Sequence, residues 1–415
     1  MKIVTGKKIR SQLERQLNRR ILFSAKTEKT VARIIAAVRK GGDRALRRYA
    51  EKLDSLGPKQ SIEVAPQEMQ NALKEVTTDF RRALEFAAAN IRRFAEWQKP
   101  APFTREIQTG ITVGQIVRPL DSVGCYVPGG RYPLPSTLLM TVIPAQVAGV
   151  SQITVVSPRP ARETLAAAAL LGVKSFYRIG GAQSIAALAY GTEAIQPVNK
   201  IVGPGNKFVT TAKKLVSFDC GIDMIAGPTE ALIVSNDGNP KFIAGDLLAQ
   251  AEHDPDTSVI FVTTSKKLAE RVASDLKAGS KENPIAAQSL KSSGLIFVTD
   301  SRQNSIDIAN AIASEHITIP PDYLDSITSA GSIFIGDYSA QSIGDYASGP
   351  NHTLPTGGIA RYRGGLSVMD FLKVITVQEV TREGLRAIAP VVETLATAEG
   401  LKGHAEAVRV RCANA

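Results

Sequence analysis

From Thr27 to about Trp97 the apolar residues recur with helical spacing. Val31, Ile34, Ile35 and Val38 fall at i, i+3, i+4 and i+7, and Gly41-Gly42 interrupts the run. This part of the chain reads as all-helical. After Pro100 and Pro102 the period changes, and short β-branched runs follow at Ile111-Val117, Val123-Val127, Ile153-Val156, Phe176-Ile179 and Lys200-Val202. Helix-length segments lie between them at Ser136-Ala148, Ala161-Leu171 and Ala182-Ala189, an alternation that predicts a parallel sheet with crossover helices.

A second series runs through Ala231-Val234, a helix from Pro240, Val259-Val262, Leu295-Val298, His316-Ile319 and Ser332-Ile335. From Thr381 to Ala415 the pattern is helical again, with Gly400 and Gly403 interrupting it before a strand-like Ala407-Val410. The expected fold is α/β: two Rossmann-like open parallel-sheet units, a helical N-terminal arm and a helical C-terminal tail. The expected partition is an arm over 1-22, a discontinuous first α/β domain over 23-125 and 231-366 that includes the helical part, a second Rossmann-like domain over 126-230, and a tail over 367-415. Ligands are expected in the crevices beyond the carboxyl ends of the strands.

Composition narrows the class. The chain has 415 residues, 44% hydrophobic and 21% charged, which fits a soluble globular protein and excludes a disordered one. No window approaches the roughly 20 apolar residues of a membrane span, and no basic leader with an apolar run opens the chain, so a cytoplasmic protein without a membrane partner is expected. Cys125, Cys220 and Cys412 are far apart and odd in number, which predicts reduced thiols. The net charge of +11 raises the question of nucleic acid. Lys7, Lys8, Arg10, Arg15, Arg19 and Arg20 cluster in the N-terminal arm, but no aromatic stacking pattern accompanies them, so they read as a solvated face and nucleic acid is not an expected partner.

The histidines are few: His253, His316, His352 and His404. Asn239-Pro240 opens a helix that Asp254-Pro255-Asp256 closes, which puts Gln250 and His253 on one face at its C-terminal end, either as a hydrogen-bonded surface pair or as metal ligands. Glu315-His316 joins a helix to a strand, where a carboxylate and an imidazole can reach a cleft as acid-base groups or serve a structural role. Asp345 and His352 lie in a turn-rich loop from Gly344 to His352. Glycine turns at Pro128-Gly129-Gly130, Gly180-Gly181-Ala182-Gln183 and Gly203-Pro204-Gly205-Asn206 each follow a predicted strand and precede a helix, which allows backbone N–H groups to face a phosphate or ribose. None fits G-x-G-x-x-G, so the glycines alone do not establish a dinucleotide.

Taken together, several phrases carry a family resemblance: Gly124-Cys125-Tyr126-Val127-Pro128-Gly129-Gly130, Gly180-Gly181-Ala182-Gln183, Val202-Gly203-Pro204-Gly205-Asn206, Asp223-Met224-Ile225-Ala226-Gly227-Pro228-Thr229-Glu230, Gln250-Ala251-Glu252-His253, Ser314-Glu315-His316 and Asp345-Tyr346-Ala347-Ser348-Gly349. In content and order they resemble the histidinol dehydrogenases, from about Ile21 to the C-terminus.

The resemblance implies Zn2+ held by Gln250, His253, Asp345 and His404, and NAD met by Tyr126, Gln183 and Asn206. It implies L-histidinol contacts from Thr229, Gln250, His253, His316, Asp345, Glu399 and His404, with His316 as the proton acceptor during hydride loss and Glu315 as the water-activating base. It also implies a homodimer with shared active sites, in which the tail brings Glu399 and His404 to the partner's site.

Two departures stand out: Thr229 where serine is more familiar, and Arg131-Tyr132-Pro133 where small residues are expected. They keep open a paralogous zinc- and NAD-dependent dehydrogenase of another small polar alcohol, for example a sulfonated diol. A basic non-catalytic binding protein is the reading from another class. Retention of Glu399 and His404 favours a cationic amino alcohol.

Overall fold

Six parallel strands form the larger sheet of the computed structural model, which describes residues 1–18, 24–129 and 132–413. Their order is Lys2–Thr5, Leu295–Val298, Ser258–Thr263, Glu230–Val234, His316–Ile319 and Ser332–Ile335. A second parallel sheet has five strands in the order Ser175–Tyr177, Gln152–Val156, Ser122–Tyr126, Lys200–Val202 and Gly221–Ile222. Strands such as Ser258–Thr263 are buried throughout because helices cover both faces, which is why they read as unbroken apolar runs rather than alternations. The expected pair of open α/β units is therefore present.

The expected partition and element assignments need five corrections. The described part of the expected arm over 1-22, residues 1–18, is not a separate helical arm. Lys2–Thr5 is the edge strand of the six-stranded sheet, paired with Leu295–Val298, and Ile9 and Leu13 of the helix Lys8–Leu17 pack on the core beneath it. Arg19 and Arg20, like Gly130 and Arg131, lie outside the described residues.

The helical part does not belong with residues 231-366. Val31, Ile34, Ile35 and Val38 pack against Ile179, Ile185, Ala186 and Val209, and Met69, Leu84 and Ile91 join a core with Leu139, Ile143 and Val155, so these helices cover both faces of the five-stranded sheet. The expected break holds: Gly42 has φ 50° inside Ala25–Leu53, and Glu193 of the five-stranded unit accepts the Asp43 N–H at 2.7 Å where the helix restarts.

The boundary at 125/126 cuts the strand Ser122–Tyr126, which lies wholly in the five-stranded sheet. Ile111–Pro119 is not a strand of the parallel sheet. It pairs antiparallel with Phe103–Gln108 and Leu372–Val380, a three-stranded layer that no local crossover pattern announces because Leu372–Val380 returns from more than two hundred residues away.

The strand-like Ala407-Val410 is helical, within Lys402–Ala413. Its Ala, Lys, Glu and Arg neighbours are good helix formers, and Ala405 is buried as the helix packs on Arg382–Ala398, with Arg409 paired to Glu393 at 2.7 Å. Among the described residues no helix is long and apolar enough to cross a membrane, and Cys125, Cys220 and Cys412 are free thiols.

Candidate active site

The helix Pro240–Ala251 starts as its sequence dictates, with Asn239 capping the Lys241 N–H at 2.9 Å and Pro240 at the first position. As a crossover helix it runs against the strands, so its end returns to their amino-terminal edge. There Gln250 is 1% exposed and donates from Nε2 to Asp345 Oδ2 at 3.2 Å, while its Oε1 is buried without a partner. His253 stands exposed two residues beyond the helix, near enough to bear on the Asp345 charge.

Asp345 lies in the last turn of the helix Gln341–Tyr346, which comes back to the same edge from Ser332–Ile335. His316, the first residue of its strand, places Nε2 at 3.3 Å from Asp345 Oδ1 and stacks on Phe334, and its Nδ1 is buried without a partner. A carboxylate can only accept, so Nε2 carries a proton, and in the neutral ring Nδ1 keeps the free lone pair. Burial opposes the imidazolium, but the Asp345 hydrogen bond and the Glu315 charge override it and hold the His316 pKa above the ordinary value. In the Asp345 carboxyl, burial is likewise outweighed by His316, and the pKa is lowered.

Glu315 is buried, and its Oε2 accepts the Glu230 N–H at 3.1 Å. Burial pushes its pKa up to about 7, against the opposing pull of His316. Glu230, the first residue of the neighbouring strand, was not singled out from the sequence. Its Oε1 accepts the Gly357 N–H at 3.1 Å and its Oε2 is shut away without a partner. Burial first and then the Glu315 charge push it up to about 8, because two adjoining buried carboxyls resist being ionised together. Thr229 precedes it, half-buried, with its carbonyl held by the Ser258 N–H at 2.9 Å.

His352 also acquires a place that the sequence did not supply. Its Nδ1 lies 2.7 Å from the Asp345 carbonyl and its Nε2 3.2 Å from Thr137 Oγ1, so a neutral ring donates to the first and accepts from the second. Burial lowers its pKa, which keeps it in that form. Since Thr137 belongs to the helix Pro135–Ala148, His352 ties the Asp345 loop to the five-stranded unit.

This group lies at the amino-terminal edge of its sheet and not at the carboxyl strand ends expected to hold ligands, because His316 and Glu230 begin their strands. The three other sequence-marked residues do lie at carboxyl ends of the five-stranded sheet. Tyr126 ends Ser122–Tyr126 and its hydroxyl accepts the Gly181 N–H at 3.4 Å; Gln183 is fully buried in the first turn of Gly181–Tyr190; Asn206 caps Lys207–Val216 by accepting the Phe208 and Val209 N–H groups. Tight turns bring these together: a Cβ on Gly203 would strike the Tyr126 carbonyl, and one on Gly129 the Pro158 carbonyl.

Below them the Gly203 N–H and Lys213 both bind the buried Asp223 carboxylate, the former at 2.7 Å, which fixes the loop leading toward Thr229. Glu399 and His404 are not brought to this centre within one chain. Both are exposed, at the end of Arg382–Ala398 and in Lys402–Ala413. Among the described residues no three of His, Cys, Asp and Glu gather as a metal site.

A buried carboxylate and an imidazole with a free nitrogen, set on an α/β scaffold beside a glycine-turn crevice, make an acid-base site suited to an oxidoreductase. The sequence profile described as histidinol dehydrogenase matches residues 17–412. The chain is 46% identical over 396 residues to the histidinol dehydrogenase of Methanothermobacter thermautotrophicus, covering 92% of each, and 44% identical to that of Aquifex aeolicus, covering 97% of each. The crystal structure of histidinol dehydrogenase from Elizabethkingia anophelis superposes with a TM-score of 0.95 at 37% identity, covering 100% of this chain and 98% of that one. The chain belongs to the histidinol dehydrogenase family, and it is an NAD-linked oxidoreductase.

Proposed function

We propose that this enzyme oxidises L-histidinol through L-histidinal to L-histidine in two successive steps at one site, in the histidine-forming pathway of the cytoplasm. The observation that carries the reading is the pairing of His316, whose free Nδ1 is buried, with Glu315, whose carboxyl is held near a pKa of 7. NAD, when bound, accepts one hydride in each oxidation.

His316 takes the hydroxyl proton of the alcohol at Nδ1, while Asp345 holds the ring by Nε2 and stabilises the imidazolium that results. Glu315 then takes a proton from the water that hydrates the aldehyde, using the oxygen that Glu230 does not hold. The same base pair thus serves an alcohol and its aldehyde in turn.

The donor set fits a zinc ion. Gln250 Oε1 is a neutral oxygen, buried and unpartnered beside the Asp345 carboxylate, with His253 adjacent. Gln250, His253, Asp345 and His404 would hold the ion, which would orient the amine and imidazole of the substrate. Its fourth protein ligand is supplied by a partner subunit's tail. This is supported by the exposed position of His404 and by the apolar side chains left uncovered on the antiparallel layer and tail, including Ile107 at 72% exposure, Val391 at 57% and Leu395 at 59%. In that homodimer Glu399 and Thr229 complete the substrate pocket, and Tyr126, Gln183 and Asn206 meet NAD.

The identities near 45% to histidinol dehydrogenases favour histidinol over sulfonated diols. The test is stoichiometry. Purified enzyme given L-histidinol and excess NAD should form two NADH per L-histidine; absence of turnover with histidinol would overturn the reading.

A further inference from the structure

Asp54 follows the helix Ala25–Leu53 and ends it, with Ser55 turning the chain away at φ 58°. Nothing in its local sequence marks it, yet its carboxylate is 6% exposed and reaches the glycine turn of the five-stranded unit. Oδ2 accepts the Gly180 backbone N–H at 3.0 Å and the Gln183 Nε2–H at 2.9 Å.

The second bond decides the orientation of an amide. A carboxylate has no proton to give, so the nitrogen of Gln183 must face Asp54 and its oxygen must turn the other way. That oxygen is buried, in a side chain with no solvent exposure, and it has no partner within the chain. An unsatisfied buried acceptor is costly, and it points to a donor that arrives with a ligand.

The same bonds restrict what that ligand presents. Gly180 and Gly181 open the helix Gly181–Tyr190, and free N–H groups at such a position would suit a phosphate. Here the Gly180 N–H is taken by Asp54 and the Gly181 N–H by the Tyr126 hydroxyl at 3.4 Å. The turn already holds an anion of its own, and the Gln183 side chain offers the cofactor an acceptor.

We infer that Asp54 is the positioning residue of the cofactor turn: it pins Gly180 and the Gln183 nitrogen, and so presents the Gln183 oxygen to a neutral hydrogen-bond donor of NAD, a ribose hydroxyl or the carboxamide N–H. The inference rests on the assignment of Gln183 to the cofactor. It gives the helical N-terminal part a share in cofactor binding through a residue that does not itself touch NAD.

The test uses the full-length enzyme and equilibrium titration with NADH, followed by fluorescence or calorimetry without histidinol. Asp54→Ala removes the acceptor, and NADH affinity should fall by about ten-fold or more, the scale of one hydrogen bond to a charged group. KM for histidinol should stay within about two-fold, a separation that general loosening of the fold would not give. Asp54→Asn keeps an oxygen that can accept both N–H groups and should retain affinity within about three-fold.

Asp54→Leu fills the same space without accepting and should behave like Asp54→Ala, so the comparison survives if the alanine variant does not fold. Gln183→Ala tests the parent assignment separately. Wild-type NADH affinity in Gln183→Ala would overturn the assignment of Gln183, whereas a loss there with wild-type affinity in Asp54→Ala and Asp54→Leu would overturn the role of Asp54 alone. The 3-acetylpyridine analogue of NAD, which lacks the carboxamide N–H, distinguishes the two donors. If its disadvantage against NAD disappears in Asp54→Ala, the donor is the carboxamide; if both lose affinity equally, it is a ribose hydroxyl.

Discussion

Replacing Glu315 with glutamine removes a base and its charge, which also bears on His316 and Glu230, while keeping the shape of the side chain. The glutamine oxygen can still accept the Glu230 N–H, now held at 3.1 Å by Glu315 Oε2, so the strand edge keeps its contact. What is lost is the capacity to take a proton from water. A positioned general base contributes about 10²–10⁴-fold, equivalent to about 2.7–5.5 kcal/mol in activation free energy. The loss should fall on the oxidation of histidinal to histidine. Reduction of histidinal by NADH runs the first step backward and needs no water, so it should stay within about ten-fold of wild type.

Stability should move the other way. Glu230 is held up to about 8 partly by the Glu315 charge, and removing that charge relieves the repulsion, so the thermal midpoint should be unchanged or higher. The two half-reactions can be followed separately by NADH absorbance, one as its appearance and the other as its disappearance. Equal losses in both directions would refute a water-specific role for Glu315. A fall in thermal midpoint would refute the repulsion between the two carboxyls.

Three further outcomes follow from the same geometry. Because Glu315 works as the deprotonated base and is raised to about 7, the rate of histidinal oxidation should fall as pH drops through about 7, and this acid limb should weaken in Glu315→Gln, leaving only what His316 contributes; an unchanged acid limb in the variant would assign it elsewhere. Chelation to a metal-free state, verified by elemental analysis, should abolish turnover and lower the thermal midpoint, with zinc restoring both; full activity in the metal-free enzyme would remove Gln250, His253, Asp345 and His404 as zinc ligands. Co-refolded Gln250→Ala and His404→Ala chains, each inactive alone, should regain about a quarter of wild-type activity if pairing is random and sites are shared across a two-fold axis; mixed dimers without activity would place His404 at its own chain's site.

The inner parallel strands were legible because strands such as Ser258–Thr263 and Ser122–Tyr126 are buried on both faces and stand out as short apolar runs between helices. Gln250, Glu315, His316 and Asp345 were legible as a set through the family phrases, and the structure brings them to one edge. Two of the failures share a cause, which is long sequence separation. Lys2–Thr5 joins a sheet through Leu295–Val298, and Leu372–Val380 meets Ile111–Pro119, so neither partner lies within the window from which a period can be read. His352 and Glu230 were passed over for a related reason. A histidine in a polar turn and a glutamate at a strand start look ordinary until Thr137, Asp345 and Gly357 are placed around them. Ala407-Val410 failed differently: its alternating Val and Arg imitate a strand, and only its packing against Arg382–Ala398 decides for helix.

The placement of chemistry at opposite ends of the two sheets follows from helix direction. In the six-stranded unit Gln250 and Asp345 sit in the last turns of helices that run back along the sheet, so the amino-terminal edge collects helix C-termini with their partial negative charge. With the Glu315 and Glu230 carboxyls beside them, that edge suits a metal cation and a cationic amino alcohol. In the five-stranded unit the glycine turns stand at the carboxyl edge, where the helices Pro135–Ala148 and Lys207–Val216 begin and the partial charge is positive, the start of Gly181–Tyr190 being already engaged by Asp54. That edge suits an anionic nucleotide. His352 joins the two by holding the Asp345 carbonyl with one nitrogen and Thr137, in the first turns of Pro135–Ala148, with the other. One redox site can therefore serve partners of opposite charge, because each unit turns toward the seam the end of its helices that the partner requires.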